Sequence, residues 1–366
     1  MAQRAEPTPS ASRMIVLIGG TGDVGRRLVS LLPDRDADSV LVVSRSGSAP
    51  DDRVKTLRLD IADARAAAAL PPGATVVNLT EATPPSIAAH IVRTDGRFLE
   101  TSASPDYVQA ITREAAATGG PGAAVVCVGT VPGLSTLMAA DLAHIEGCAT
   151  VDIGLELGMG RHYGAAATEW SIGALGTVYR LSGVTSTMVR PGDMRRSFAF
   201  QRTGRERPAL GIGFPQQGIV GRSGTSSTVR ARTFLAFDPP HVTCLVWLLL
   251  RLGLGPVLAR HKRGLTRILL RLPPLGRTGT RIAVEAQGPD GGVLASRHHT
   301  AGDQAEVTAA MILATIRAIH SEEAPLSGAT TIVDHLTLSG ALDALHGLLP
   351  DMPIETWFTG TDGESV

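Results

Sequence analysis

The stretch 14-MIVLIGGTGDVGRRLVSLL-32 decides how this chain is read. Five apolar residues, Met14 to Ile18, run into a glycine turn, and residues 24–32 follow with apolar side chains at helical spacing. The pattern predicts a strand, a tight turn and a helix. Gly20-x-Gly22-x-x-Gly25 has the spacing of a dinucleotide-binding fingerprint, and Gly19 adds an overlapping G-x-x-G-x-x-G frame. In such a turn the first glycine permits positive φ, and the second lacks a Cβ, so the backbone can approach a pyrophosphate. The third lets the helix lie close to the strand. Free N–H groups and the positive end of the helix dipole then face the phosphates. Gly20, Thr21, Gly22, Asp23 and Val24 are the expected diphosphate contacts.

Further strands alternate with helices downstream. Residues 40–43 read as a second buried strand ending in Ser44-Arg45-Ser46. An acidic residue at that place would hold the ribose 2′-OH of NAD, and none is present. Two hydroxyls around an arginine suit a 2′-phosphate, which arginine binds through two parallel hydrogen bonds. NADP is therefore the favoured cofactor, with NAD as the alternative and a solvated turn as the bland reading.

Residues 56–59 read as a third strand, followed by Asp60-Ile61 and an alanine-rich helix over 62–70. Asp60 and Ile61 are placed to touch an adenine, although an aspartate there also serves simply as a helix cap. Residues 75–79 form the fourth predicted strand and lead into Thr80-Glu81, and 97–100 form the fifth and lead into Thr101. Ligands of open parallel sheets sit at the strands' carboxyl ends. Asn78, Thr80 and Thr101 thus join the cofactor-binding set, and Glu81 and Glu100 become candidate acid–base groups or ammonium anchors. After a helix over 106–118, opened by Ser104 and Pro105, a sixth strand over 123–128 breaks at Gly129-Thr130-Val131-Pro132-Gly133, which is expected to shape the nicotinamide end.

The character changes near residue 149. Val151, Ile153, Leu155 and Leu157 recur every second residue, and 281–287 and 293–299 flank a glycine-rich loop. A hairpin in a mainly antiparallel sheet follows. Residues 304–320 and 333–348 read as helices, and another is expected over 165–179. The predicted fold class is α/β, a Rossmann doubly wound parallel sheet plus a second α+β domain. The expected boundaries are a disordered tail over 1–13, a Rossmann domain over 14–133, a substrate and dimerisation domain over 134–325, and C-terminal helices over 326–366 that pack back on the first domain.

Composition bounds the function. Lys and Arg number 34 and balance 34 Asp and Glu, so nothing favours nucleic acid as a partner. Three scattered cysteines offer neither a disulfide framework nor a metal set, and a cytoplasmic setting is the simplest. The tyrosines Tyr107, Tyr163 and Tyr179 have Ile111, Ala167 and Gly183 four residues on, which excludes a Tyr-x-x-x-Lys mechanism. His298 and His299 are neighbours on a strand and point to opposite faces, so no metal site is expected there. The insert Gly160-Arg161-His162-Tyr163-Gly164 offers His162 or Tyr163 as proton donor and Arg161 as a carboxylate anchor, unless it is only a solvated helix-start loop. The apolar segment 242–258 and the basic run 260–271 leave three readings open: a buried helix, a lid over an apolar substrate, and contact with a membrane surface.

The segments 16–28 (VLIGGTGDVGRRL), 76–85 (VVNLTEATPP), 98–108 (FLETSASPDYV), 129–143 (GTVPGLSTLMAADLA), 302–310 (GDQAEVTAA) and 328–336 (GATTIVDHL) together resemble the saccharopine dehydrogenase-like (saccharopine reductase) family. The resemblance covers most of 14–345. It implies an NAD(P)-dependent oxidoreductase with a second domain that holds a small substrate and commonly forms the homodimer. Some relatives reduce imines, and others reduce polyketide or lipid-like substrates. This chain departs from them at Leu79-Thr80-Glu81, where many carry a cysteine, and across 160–280, where no substrate site transfers. A reductase of an imine or an activated C=C or C=O bond is the leading expectation. A cofactor-binding regulator without catalysis and a membrane-peripheral reductase are the alternatives.

Overall fold

A computed structural model describes residues 14–160, 164–181, 187–203, 205–220, 229–321 and 327–360. The chain divides into two compact units. The first comprises the described parts of 1–102, 106–129 and 308–336, and the second those of 103–105, 130–307 and 337–366.

The first unit is built on a parallel sheet. Its strands are β1 (Ile15–Ile18), β2 (Val40–Ser44), β3 (Lys55–Arg58), β4 (Thr75–Asn78), β5 (Arg97–Glu100), β6 (Ala123–Val126) and a late one, Gly328–Thr331. The order across the sheet is Gly328–Thr331, β6, β5, β4, β1, β2, β3, and every pairing is parallel. The central strands are apolar and sealed on both faces, as a parallel sheet requires. Helices α1 (Asp23–Leu31), α2 (Asp34–Ala37), α3 (Pro85–Arg93) and α4 (Pro105–Thr118) lie among its crossovers. From β1 the strands run outward in both directions, so the order reverses between β1 and β4. That is where a doubly wound sheet opens a crevice.

Two local expectations for this unit are corrected. The alanine-rich helix over 62–70 is a single 3-10 stretch, Ala64–Ala69, started by Asp63, whose carboxylate accepts the Arg65 N–H at 2.9 Å. Pro71 and Pro72 stop it before α-helical cooperativity can build. The region 326–366, read as helices, contains two strands. Gly328–Thr331 extends the parallel sheet beside β6, and Glu355–Gly360 joins the other sheet. Among the described residues of this region the helical part is a 3-10 turn, Ile332–Asp334, and a helix, Leu338–Leu348.

The second unit carries a mixed sheet of β7 (Thr150–Gly158), β10 (Arg195–Phe198), β11 (Arg207–Ile212), β12 (Arg230–Asp238), β13 (Thr280–Gln287), β14 (Val293–Ala301) and Glu355–Gly360. Only β12 and β7 pair parallel; the other neighbours are antiparallel. Val151, Ile153 and Leu155 of β7 are buried on the side where α5 (Ser135–Ala143) packs. The alternate residues are Asp152 and Glu156, and both are buried as well. Arginines seal that face. Arg232 grips Asp152 through two bonds of 2.6 and 2.7 Å, Gln287 donates to it at 2.7 Å, and Arg196 bridges Asp152 and Glu285. Arg207 links Glu156 (2.8 Å) to Asp238 (2.6 Å), and Arg281 also reaches Glu156. Four buried or half-buried carboxylates thus meet four arginines, with charge-assisted bonds repaying desolvation. Helix α6 (Ala165–Ala174) ends five residues earlier than expected, and Tyr179 instead begins β8 (Tyr179–Leu181), paired with β9 (Thr187–Val189).

Candidate functional site

The glycine turn lies at the carboxyl end of β1. Gly19 carries the positive φ, +78°. Gly20 does not; a Cβ there would stand 2.9 Å from the Leu17 Cβ. The turn therefore uses the Gly19-x-x-Gly22-x-x-Gly25 frame, and Gly20 is small because it packs on β1. Gly22 is the N-cap of α1, extended at φ −72° and ψ −180°, and no side chain caps the helix. A Cβ on Gly25 would come within 2.2 Å of the Gly20 carbonyl oxygen, so the helix leans directly on the turn. The uncapped N–H groups and the bare Gly22 form the cradle that a diphosphate needs. Asp23 in the first turn adds negative charge, and Arg27 stands 3.7 Å from it. Arg26 donates to the Thr21 carbonyl at 2.9 Å, which fixes a guanidinium beside the cradle. Val24 completes the first turn, and Thr80 sits 3.5 Å from where a Gly19 Cβ would be.

At the end of β2, Ser44, Ser46 and Ser48 form a hydroxyl cluster, with Ser46 and Ser48 only 2.6 Å apart. Arg45 is exposed beside it. Register places Arg58 of β3 opposite Ser44, and Gly47, at φ +73°, turns the chain against the Arg58 side chain. Ser48 and Arg58 thus lie beside the Ser44-Arg45-Ser46 segment singled out in the sequence. Asp60 spends its carboxylate on the Ala62 N–H at 3.2 Å, and Ile61 is buried in the core. Asp60 thus closes a local turn two residues long, and the helix cap is Asp63.

The ends of β4 and β5 hold a polar network. Asn78 is buried, and its amide nitrogen donates to Glu100 (2.7 Å) and lies 3.0 Å from the Tyr107 hydroxyl, while its oxygen accepts from Thr83 (2.6 Å). The Thr101 hydroxyl donates to the Asn78 carbonyl at 2.8 Å, and Tyr107 donates to the Thr83 carbonyl at 2.7 Å. Asn78 therefore ties the strand ends together, and both of its amide N–H donors are spent within the network. Burial pushes the Glu100 carboxyl up to about 8, against the pull of the Asn78 amide and the Ser102 N–H, and the nearby Glu81 carboxylate adds to the rise. Glu81 itself is exposed and accepts the Ser102 hydroxyl. Ser102 thus joins an exposed carboxylate to a buried carboxyl through its side chain and its backbone. Tyr107 was missed in the sequence because only the Tyr-x-x-x-Lys pattern was sought. Its place three residues into the helix after β5 was the available signal. His162, Tyr163 and Arg161 lie outside the described residues. The Cys127 thiol is buried, and burial raises it far above its ordinary range, so it stays a protonated core residue. Among the described residues no group of three or more His, Cys, Asp or Glu is arranged to hold a metal ion.

A seven-stranded parallel sheet that reverses order beside a glycine cradle defines a Rossmann-type unit, here joined to a mixed-sheet unit. No protein-family model matches the chain, and no curated protein sequence matches it. Among solved structures it is similar to apo saccharopine dehydrogenase (L-Glu forming) from Saccharomyces cerevisiae, with a TM-score of 0.53 and 12% identity over 93% of this chain and 99% of that one. Lower scores are found with C. glutamicum DAP dehydrogenase in complex with DAP (0.45, 13% identity, 92% of this chain and 99% of that one). Amine dehydrogenase from Mycobacterium smegmatis follows (0.43, 12% identity, 88% of this chain and 96% of that one). The first of these shares the two-unit fold, so the resemblance read from the sequence is met at the level of architecture.

Proposed function

We propose that the chain is an oxidoreductase that uses a nicotinamide cofactor, prefers NADP, and reduces an imine or an activated C=C or C=O bond of a small metabolite. The observation that carries this reading is the uncapped, Cβ-free start of α1 on the Gly19 turn, set at the point where the sheet order reverses. The fold shared with a saccharopine dehydrogenase supports it.

The cofactor, when bound, supplies a hydride, the two electrons of the reduction. The protein's own work is to bind, orient and protonate. The N–H groups at the start of α1 would hold the diphosphate, with Thr21, Asp23 and Val24 lining it. Ser44, Arg45 and Ser46 would hold a ribose phosphate, with Ser48 and Arg58 as additions. Thr80 would line the cofactor's path next to Gly19. Asn78 and Thr101 keep the ends of β4 and β5 in register. Glu81 is the exposed carboxyl that would pass a proton to the reduced atom, and the Ser102 hydroxyl that donates to it sets its orientation. His162 and Tyr163 remain alternative donors. Titration of the purified protein with NADPH and with NADH tests the reading: NADPH should bind more tightly, and binding of neither would refute it.

A further inference from the structure

Residues 242–271 fall in three helices of the second unit, Pro240–Arg251, Gly255–Arg260 and Lys262–Leu269. The buried-helix reading fails. What these helices bury is small: Thr243, Gly255 and Thr266. What they expose is large and aliphatic. Leu245, Leu248 and Leu252 follow one another at spacings of three and four, which makes a single stripe, and Leu252 is 66% exposed. Val257, Ile268, Leu269, Leu272 and Leu275 continue the exposed set.

Helix Lys262–Leu269 is amphipathic, and part of its apolar side is left in solvent. Its apolar side carries Leu265, Ile268 and Leu269, and its polar side carries Lys262, Arg263, Thr266 and Arg267. A helix on a water-facing surface buries the apolar side. Here the seam between the two sides leans on α6: Thr266 is buried, Lys262 and Leu265 are half-buried, and Lys262 and Arg263 reach Glu169 at 3.3 and 3.6 Å, while Arg263 and Arg267 stay exposed beside Ile268. Ile268 points outward at 56% exposure. The charge is as one-sided as the hydropathy. No Asp or Glu occurs between Asp238 and Glu285, whereas Arg251, Arg260, Lys262, Arg263, Arg267 and Arg271 all do, in a chain whose total charge is zero.

We infer that this face rests on the surface of an anionic phospholipid bilayer. Leucines and isoleucine enter the boundary between headgroups and acyl chains, and exposed arginines of the same segment, Arg260, Arg267 and Arg271, meet the phosphates. The occupant is a surface and the contact is peripheral, because among the described residues no helix is long and apolar enough to cross a membrane. A second copy of the chain fits poorly. A two-fold contact would press one acid-free basic segment against another.

Co-sedimentation of the full chain with vesicles tests the inference. The protein should pellet with phosphatidylcholine–phosphatidylglycerol vesicles and stay in solution with phosphatidylcholine alone, and salt should weaken the binding. Leu252→Ser with Ile268→Ser, and separately Arg267→Glu with Arg271→Glu, should each reduce pelleting roughly tenfold or more. Circular dichroism and NADPH titration should stay unchanged in both, which separates loss of this surface from loss of the fold or the cofactor site. Absence of pelleting with either vesicle, or equal pelleting with both, overturns the inference. So does a dimer in sedimentation equilibrium that Leu252→Ser with Ile268→Ser dissociates, since a second copy would then be what covers the stripe.

Discussion

Gly22→Ala isolates the cofactor cradle from the fold. A Cβ at Gly22 has one neighbour within 4 Å, the Gly19 carbonyl oxygen at 3.3 Å, so the chain accommodates it. Alanine for glycine at an N-cap costs about 1 kcal/mol of stability. The same methyl group stands on the path by which a phosphate reaches the N–H groups of α1. Loss of two charge-assisted hydrogen bonds, at about 1.5–3 kcal/mol each, weakens binding by about 3–6 kcal/mol. That is roughly a hundred- to ten-thousandfold in Kd. Gly25→Ala is the contrasting variant. Its Cβ would meet Gly20 backbone at 2.2 Å, so the helix must move outward by about 1 Å to restore van der Waals contact, and stability falls together with binding. The assay is quenching or enhancement of NADPH fluorescence on titration, beside a urea melt of each variant. A folded Gly22→Ala protein that binds NADPH within about threefold of the parent would refute the reasoning.

Three further outcomes are expected. Arg45→Ala should weaken NADPH by roughly ten- to a hundredfold and leave NADH nearly unchanged; equal losses for the two cofactors would remove the 2′-phosphate role. The buried Glu100 titrates near 8, above its unfolded value of 4.5, so the folded chain keeps a proton that the unfolded chain has released. Folding stability should therefore be full below pH 4.5 and fall as pH rises through 8, by on the order of a few kcal/mol, and Glu100→Gln should flatten that slope in urea unfolding measured across the range. Asp152→Ala leaves Arg232 without its carboxylate and Arg196 with Glu285 alone on the half-buried face of the mixed sheet, and should cost about 3–5 kcal/mol in denaturant unfolding.

The parallel sheet was legible because its signals are local. Each strand is a short apolar run closed by a turn, and the strands over 75–79, 97–100 and 123–128 fall within two residues of β4, β5 and β6. The glycine frame was legible only in part. Gly19 and Gly20 both satisfy the spacing, and the backbone alone, through φ at Gly19, decides between them. Beyond such local signals, meaning came from distance in the chain. Arg58 joins Ser44 through the register of two strands, and Tyr107, on the helix after β5, joins Asn78 at the end of β4. The strand alternation at Val151, Ile153 and Leu155 correctly marked one buried face, and it implied that Asp152 and Glu156 were wet. They are dry because β10, β11, β12 and β13 bring arginines to them across separations of 44 to 125 residues, which no period in a single segment encodes. Residues 242–271 failed for the opposite reason. Apolar composition is evidence of burial only when something is present to bury against, and here α6 is met by threonine, glycine and a lysine stem while Leu245, Leu248, Leu252 and Ile268 stay exposed. Orientation of an amphipathic helix on its support is a tertiary fact, and in this chain it turns the most apolar stretch of the sequence into its surface.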